Sequence, residues 1–155
     1  MKKLITIDDF KSLKQQGVFK NKKIVFTNGC FDILHSGHVL YLEEAASLGD
    51  ILIIGLNSDC SVRRIKGSNR PINQERDRAI VLSSLSVIDY IIIFTEDTPY
   101  NLINIIVPDI LVKGGDWEIK NIVGADIVLK NGGKVKSLIF QEGKSTSNII
   151  EKIKS

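Results

Sequence analysis

A chain of 155 residues, 43% hydrophobic and 25% charged, has the composition of one globular domain with one core, which excludes disorder as a whole-chain description. A formal net charge of +3 is too mild to mark a nucleic-acid binder but suits a protein with anionic ligands. Asp8 and Asp9 follow the Met-Lys-Lys start before any long apolar stretch, the apolar runs at 51–56 and 90–94 are too short to span a bilayer, and Cys30 and Cys60 form no spaced framework. The expectation is a reduced, cytoplasmic protein with no membrane segment.

Along the chain, Thr6 with an acid three positions on predicts a helix over about 7–16, ended by Gly17 and apolar at Phe10 and Leu13. Lys23-Ile24-Val25-Phe26-Thr27 predicts a short strand closing at Asn28-Gly29. Val39, Leu42, Ala45 and Ala46 recur at helical spacing over 37–48, and Gly49-Asp50 breaks the pattern. Ile51-Leu52-Ile53-Ile54-Gly55-Leu56 is apolar at consecutive positions, as a strand buried on both faces is. A helix over roughly 74–85 precedes a second buried strand at 90–94. Thr98-Pro99 reads as a cap followed by proline at the first helical position, and Pro108 stops that helix near Ile106. A strand at 110–113 ends in Gly114-Gly115, a short helix at 122–130 leads to Asn131-Gly132-Gly133, a fifth strand covers 135–139, and Ser145-Thr146 caps a last helix to about Lys152. Such alternation predicts an α/β fold, a doubly wound parallel five-stranded sheet with helices on both faces, whose ligands bind at the carboxyl ends of the strands.

Chemistry-bearing residues gather at those ends. After the first strand come Asn28-Gly29-Cys30-Phe31-Asp32 and then His35-Ser36-Gly37-His38, the chain's two histidines at one helix start. Free amides and the positive end of the helix dipole favour an anion there, and the imidazoles could cradle phosphate in a transition state. Read residue by residue, one histidine could instead cap the helix while the other packs. After the fourth strand, Lys113 could meet phosphate, with Gly114 and Gly115 admitting close backbone approach, or the segment could be a plain glycine turn. Gly143-Lys144-Ser145 is no P-loop, because Leu138 stands where the pattern needs its first glycine. It is a hydroxyl-rich helix start that could hold phosphate or simply cap. Arg63-Arg64-Ile65-Lys66-Gly67, with Arg70, Arg76 and Arg78 beyond, forms an anion-binding loop or a solvated surface. Nucleic acid is disfavoured because no aromatic residues are interleaved.

Together these blocks, with Gly55-Leu56-Asn57-Ser58-Asp59, Arg70-Pro71-Ile72-Asn73, Phe94-Thr95-Glu96-Asp97-Thr98-Pro99 and Val112-Lys113-Gly114-Gly115-Asp116-Trp117, resemble the cytidylyltransferase-like branch of the HxGH nucleotidyltransferase superfamily over nearly all of residues 23–153. Asn-Gly-Cys-Phe-Asp and Val-Lys-Gly-Gly-Asp bring the resemblance closer to adenylyltransferases acting on D-glycero-β-D-manno-heptose 1-phosphate. Glycerol-3-phosphate cytidylyltransferases carry an acidic residue where Gly115 stands and an arginine where Phe140 stands, so the resemblance implies ATP rather than CTP. It implies one Rossmann-like nucleotidyltransferase domain over 1–155, stand-alone because the chain has no room for the sugar-kinase domain of the bifunctional members, with another protein supplying the sugar 1-phosphate.

The reaction so implied is ATP plus heptose 1-phosphate giving ADP-heptose and pyrophosphate. The acceptor phosphate is already nucleophilic, so the protein aligns reactants and offsets charge without a general base. The expected catalytic residues are His35, His38 and Lys113. Asn28, Gly29, Cys30, Phe31, Gly114, Gly115, Ser145 and Thr146 are expected to hold nucleotide, and Arg63, Lys66 and Arg78 the acceptor phosphate or leaving pyrophosphate. Mg²⁺ would arrive with ATP, ligated by substrate and water, since the sequence offers no metal cage. A homodimer is expected by resemblance. The competing readings are a glycerol-3-phosphate cytidylyltransferase-type enzyme and a non-catalytic nucleotide-binding protein on the same fold.

Overall fold

The structure is a computed structural model and describes residues 2–139 and 145–155; Phe140, Gly143 and Lys144, invoked above, lie outside the described residues. Strands β1 (Ile24–Gly29), β2 (Ile51–Asn57), β3 (Tyr90–Phe94), β4 (Ile110–Gly114) and β5 (Lys134–Leu138) form a parallel sheet in the order β3-β2-β1-β4-β5. Between and around them run α1 (Ile7–Gln15), α2 (Ser36–Ala46), α3 (Asp59–Lys66), α4 (Glu75–Ser83), α5 (Tyr100–Ile106), α6 (Ala125–Lys130) and α7 (Thr146–Lys154), with a 3₁₀ turn at Ile119–Asn121. This is the doubly wound α/β, Rossmann-like fold read from the sequence.

The consecutive apolar runs are explained by two cores, one on each face of the sheet. Successive side chains of a strand point to opposite faces. In β1, Ile24 and Phe26 join Phe10, Leu102, Ile103, Ile106 and Val128 on the side of α1, α5 and α6, while Val25 joins Leu42, Ala45, Ala79 and Leu82 on the side of α2 and α4. In β2, Ile51 and Ile53 divide from Leu52, Ile54 and Leu56 in the same way.

Aspartates fix the amino ends of the central strands. Asp109 accepts from the Ile24 amide at 2.7 Å, Asp50 from the Lys23 amide at 2.7 Å and Asp89 from the Leu52 amide at 2.8 Å. The Thr6 capping box on α1 forms as read, through Thr6 Oγ1 and Asp9. Ahead of it Leu4 bridges to Ile91, covering the outer edge of β3.

Some local readings change. The basic stretch at 63–66 is the last turn of α3, capped by Ser58, rather than a loop. Pro99 takes the N-cap position of α5 instead of the first helical one. The 122–130 helix is shorter, and Gly124 precedes it in a left-handed conformation. β5 is an edge strand whose Lys134 and Lys136 face solvent, a charge pattern that discourages pairing with another chain. Among the described residues no helix is long and apolar enough to cross a membrane.

Candidate active site

The sheet order reverses between β1 and β4, so the connections leaving these two strands run to opposite sides and open a crevice at their carboxyl ends. A cleft of about 550 Å³ occupies that crevice.

Its floor is the exit of β1. Gly29 leaves room for the Phe31 ring, since a Cβ would stand 2.9 Å from it and one of the two would have to shift. Phe31 holds a φ of 44°, a left-handed conformation costly for a bulky residue and concentrated at functional sites. The chain then extends through His35, at the N-cap position of α2. His35 makes no side-chain capping bond, so it is not the cap that residue-level reading allowed. Its ring stacks on His38 instead, with centroids 3.9 Å apart, and Phe31 meets His38 edge-on at 5.2 Å. Burial, reinforced by His35, lowers the His38 pKa to about 4, so His38 is neutral at pH 7. Its Nδ1 is buried and makes no hydrogen bond among the described residues. Beneath the pair, the Thr27 hydroxyl and Tyr41 phenol share a hydrogen bond of 2.5 Å that ties α2 to β1, and burial pushes Tyr41 up to about 12.

The wall beyond β4 carries Lys113, Gly114 and Trp117. Burial lowers the Lys113 pKa, opposed by Cys30 and aided by Lys66. Lys113 Nζ lies 5.9 Å from the Trp117 ring centroid. The indole is fixed: its N–H donates to Gly114 O at 3.1 Å and its main-chain N–H to Ser137 Oγ at 3.1 Å. Ser145 and Thr146 complete this wall at the start of α7. Ser145 Oγ accepts from the Asn148 amide at 3.0 Å, and Thr146 Oγ1 donates to Ile33 O at 3.3 Å, docking α7 on the histidine loop.

The cleft therefore gathers Asn28, Gly29, Cys30, Phe31, His35, His38, Lys66, Lys113, Gly114, Ser145 and Thr146 from the residues expected to act together. Three others are corrected. Gly115 is not among the residues lining the cleft, its amide donating to Leu138 O at 2.8 Å and its carbonyl accepting from Ser137 Oγ. Arg63 points outward, with Nη2 3.8 Å from Cys60 Sγ. Arg78 is 2% exposed and holds the scaffold: it donates to Asn73 O at 3.0 Å, Cys30 O at 2.6 Å and Asp59 Oδ1 at 2.8 Å. A surface arginine and a buried one look alike in sequence, because the partners of Arg78 come from three separate segments.

Asp32 and Arg70 also line the cleft; Asp32 received no role from the sequence, and Arg70 was placed only in the basic stretch read as an anion-binding loop or a solvated surface. Asp32 Oδ2 accepts from Arg70 Nε at 2.6 Å. Burial works to raise the Asp32 pKa, but the Asn73 and Ile72 amides and the Arg70 guanidinium outweigh it and hold the carboxyl below its ordinary value. The signal available was Asp32 at the end of the first strand and Arg70 in the basic stretch, with nothing local to pair them. The described residues contain no cluster of His, Cys, Asp and Glu able to hold a metal ion.

A switch-point crevice with stacked imidazoles at a helix start, sharing the cleft with a half-buried lysine, defines an α/β protein of the nucleotidyltransferase class. A family model described as cytidylyltransferase-like matches residues 26–152, and the chain belongs to that family. It is 54% identical over 151 residues to the "Bifunctional protein HldE" of Wolinella succinogenes, a match covering 97% of this chain and 31% of that protein. The chain thus spans about a third of the length of the curated relatives it matches. Among solved structures it is similar to the lipopolysaccharide core biosynthesis protein from Thermoplasma volcanium GSS1, at 30% identity and a TM-score of 0.63, covering 80% of this chain and all of that one. A pantoate-β-alanine ligase from Francisella tularensis, 18% identical with a TM-score of 0.63 over 95% of this chain and 69% of its own, shares the fold.

Proposed function

We propose that the chain is an adenylyltransferase that converts ATP and D-glycero-β-D-manno-heptose 1-phosphate to ADP-heptose and pyrophosphate. The observation that carries this reading is the stacked His35–His38 pair at the start of α2, sharing one cleft with Lys113 and the start of α7. An oxygen of the sugar phosphate attacks the α-phosphorus of ATP in line, and the bond from that phosphorus to the bridging oxygen of the β-phosphate breaks. His35 and His38 donate to the phosphate oxygens that gain charge, Lys113 holds the triphosphate, and the first amides of α2 and α7 face the same anion. No protein base is needed. Asp32, the carboxylate nearest the histidines in sequence, is already engaged by Arg70 and two amides.

Mg²⁺ would come with the nucleotide substrate and would offset the charge of its phosphates. A cleft rich in cationic and neutral donors and poor in uncommitted carboxylates suits a metal carried by its ligand.

The heptose assignment rests on the Asn-Gly-Cys-Phe-Asp and Val-Lys-Gly-Gly-Asp blocks and on similarity to proteins named for HldE and for lipopolysaccharide core biosynthesis. The preference for ATP over CTP gains support from Gly115. Its φ is 111° and a Cβ would stand 2.9 Å from the Trp117 indole nitrogen, so the acidic residue of glycerol-phosphate enzymes is not accommodated in this turn. The deciding assay is pyrophosphate release with Mg²⁺, pairing ATP, CTP and GTP with heptose 1-phosphate and glycerol 3-phosphate. Release confined to ATP with heptose 1-phosphate is the expected result. Release with CTP and glycerol 3-phosphate would overturn the substrate assignment, and silence in every pairing would overturn the enzyme reading.

A further inference from the structure

The stretch 70–73 between α3 and α4 is built around one buried carboxylate. Asp32, whose side chain is 1% exposed, accepts from Arg70 Nε at 2.6 Å, from the Ile72 amide at 2.8 Å and from the Asn73 amide at 2.9 Å, while its carbonyl accepts from Asn73 Nδ2 at 2.7 Å. A buried charge is costly to desolvate and persists where its partners are fixed. The outcome here is a guanidinium held by one edge. Neither Nη atom of Arg70 makes a hydrogen bond among the described residues, although the side chain is only 18% exposed and lines the cleft. A guanidinium fork anchored through Nε has its outer donors preorganised for a second oxyanion, and two parallel bonds to one phosphate are the geometry such a fork suits.

We infer that Arg70, aimed by Asp32, binds the phosphate monoester of the acceptor and so selects acceptors that carry one. This rests on the adenylyltransferase reading and replaces Arg63 and Arg78, which the structure turns away from the cleft. The side of the cleft decides between acceptor and nucleotide. Lys113, Gly114, Trp117 and the start of α7 occupy the β4 wall, where close backbone and a fixed indole suit a nucleotide. Arg70 and Lys66 occupy the facing wall beyond β2, with the histidines at the exit of β1 between the two. The charges of Lys66 and Arg70 both act on the Cys30 thiol, consistent with their convergence at that exit. In-line transfer brings the nucleophile to the α-phosphorus from the side opposite the leaving pyrophosphate, and the β2 wall is the side left for it. Asp32 is then a positioning residue: it touches no substrate and acts through the orientation of Arg70.

The test is steady-state kinetics of pyrophosphate release for wild type, Arg70→Ala, Arg70→Lys and Asp32→Asn, varying MgATP and sugar 1-phosphate independently, with thermal unfolding as the control for folding. Loss of a charge-assisted bidentate contact predicts a KM for the sugar phosphate raised on the order of 10- to 100-fold in Arg70→Ala, with the KM for MgATP within about threefold of wild type. Arg70→Lys restores charge but cannot hold Asp32 and present two donors at once, so its acceptor KM rises severalfold. Should the alanine variant fail to fold, the lysine variant decides by that criterion. Asp32→Asn shifts the same constant in the same direction. Inorganic phosphate competes with the sugar phosphate in wild type and loses that competition in Arg70→Ala. An acceptor KM unmoved in both Arg70 variants, or a rise confined to MgATP, overturns the inference while leaving the reaction standing. A wild-type protein silent with every sugar 1-phosphate overturns both.

Discussion

His35 and His38 lie face to face, centroids 3.9 Å apart and planes inclined by 25°, so a proton on one ring raises the cost of a proton on the other. With burial as the larger cause, His38 is lowered to about 4. NMR titration of the ligand-free protein is expected to show one imidazole with a midpoint near 4, and saturation with ATP is expected to raise it, since an anion favours the protonated ring. The depressed value also links to stability. Between the ordinary value of 6.5 and about 4 the unfolded chain binds a proton that folded His38 does not, so stability falls as pH drops through that window, and His38→Gln lessens the slope. In catalysis, His38→Ala lowers kcat about a hundredfold or more, by the scale of preorganised oxyanion donors. Near-normal turnover in a folded His38→Ala protein would rule out the mechanism.

In the proposed mechanism Lys113 acts through its charge, and burial lowers its pKa from the ordinary lysine value of 10.5. The protonated form is the useful one, so activity is lost as pH rises past the lowered value. The alkaline limb of kcat/KM for MgATP is expected below pH 10.5, and in Lys113→Arg it is expected to move out of range. A limb identical in both proteins would remove Lys113 from triphosphate binding.

Arg78 is the hub between the exit of β1, the start of α3 and the 70–73 stretch. Arg78→Met strands Asp59 Oδ1 and the carbonyls of Cys30 and Asn73. Breaking a buried pair from one side costs about 3–5 kcal/mol. For a domain of this size the melting temperature falls by roughly 10 °C. A melting temperature within about 2 °C of wild type would contradict the structural role assigned to it.

Gly115 sets the turn that places Trp117. Gly115→Asp combines a φ of 111° with a collision against the indole, at a cost of about 1–3 kcal/mol. Trp117 is the chain's single tryptophan, so its displacement is read directly as a change in fluorescence. The variant is expected to lose stability without gaining turnover on CTP. Efficient CTP turnover by Gly115→Asp would reverse the argument that the turn excludes an acidic residue.

The strand framework was legible because parallel strands covered on both faces must be apolar at successive positions, and β2 and β3 advertise that plainly. The α1 capping box and the α7 cap were equally plain, since each is a local bond between residues three apart. α3 was missed because its buried side is only Ser61 and Val62 amid Arg63, Arg64 and Lys66, which leaves almost no apolar period to read. The exposure of β5 follows from its place at the sheet edge, which the sequence of the strand itself does not reveal. At the site, the histidine and Lys113 blocks sit where strand-end reasoning puts them. Asp32 and Arg70, 38 positions apart, meet only through the packing of the α3–α4 connection beside β1, a relation that no local pattern carries.

The central position of β1, flanked by β2 and β4, has a temporal consequence. Ile24 and the Asp109 carboxylate that receives its amide are 85 positions apart, so the β1–β4 junction closes a long loop that contains β2 and β3. Closure over such a span is entropically costly and slow relative to local contacts. A chain folded only as far as β3 owns both histidines but lacks the opposite half of the cleft. During refolding, recovery of nucleotide binding is expected to trail the return of helicity, because the cleft needs this long-range joint.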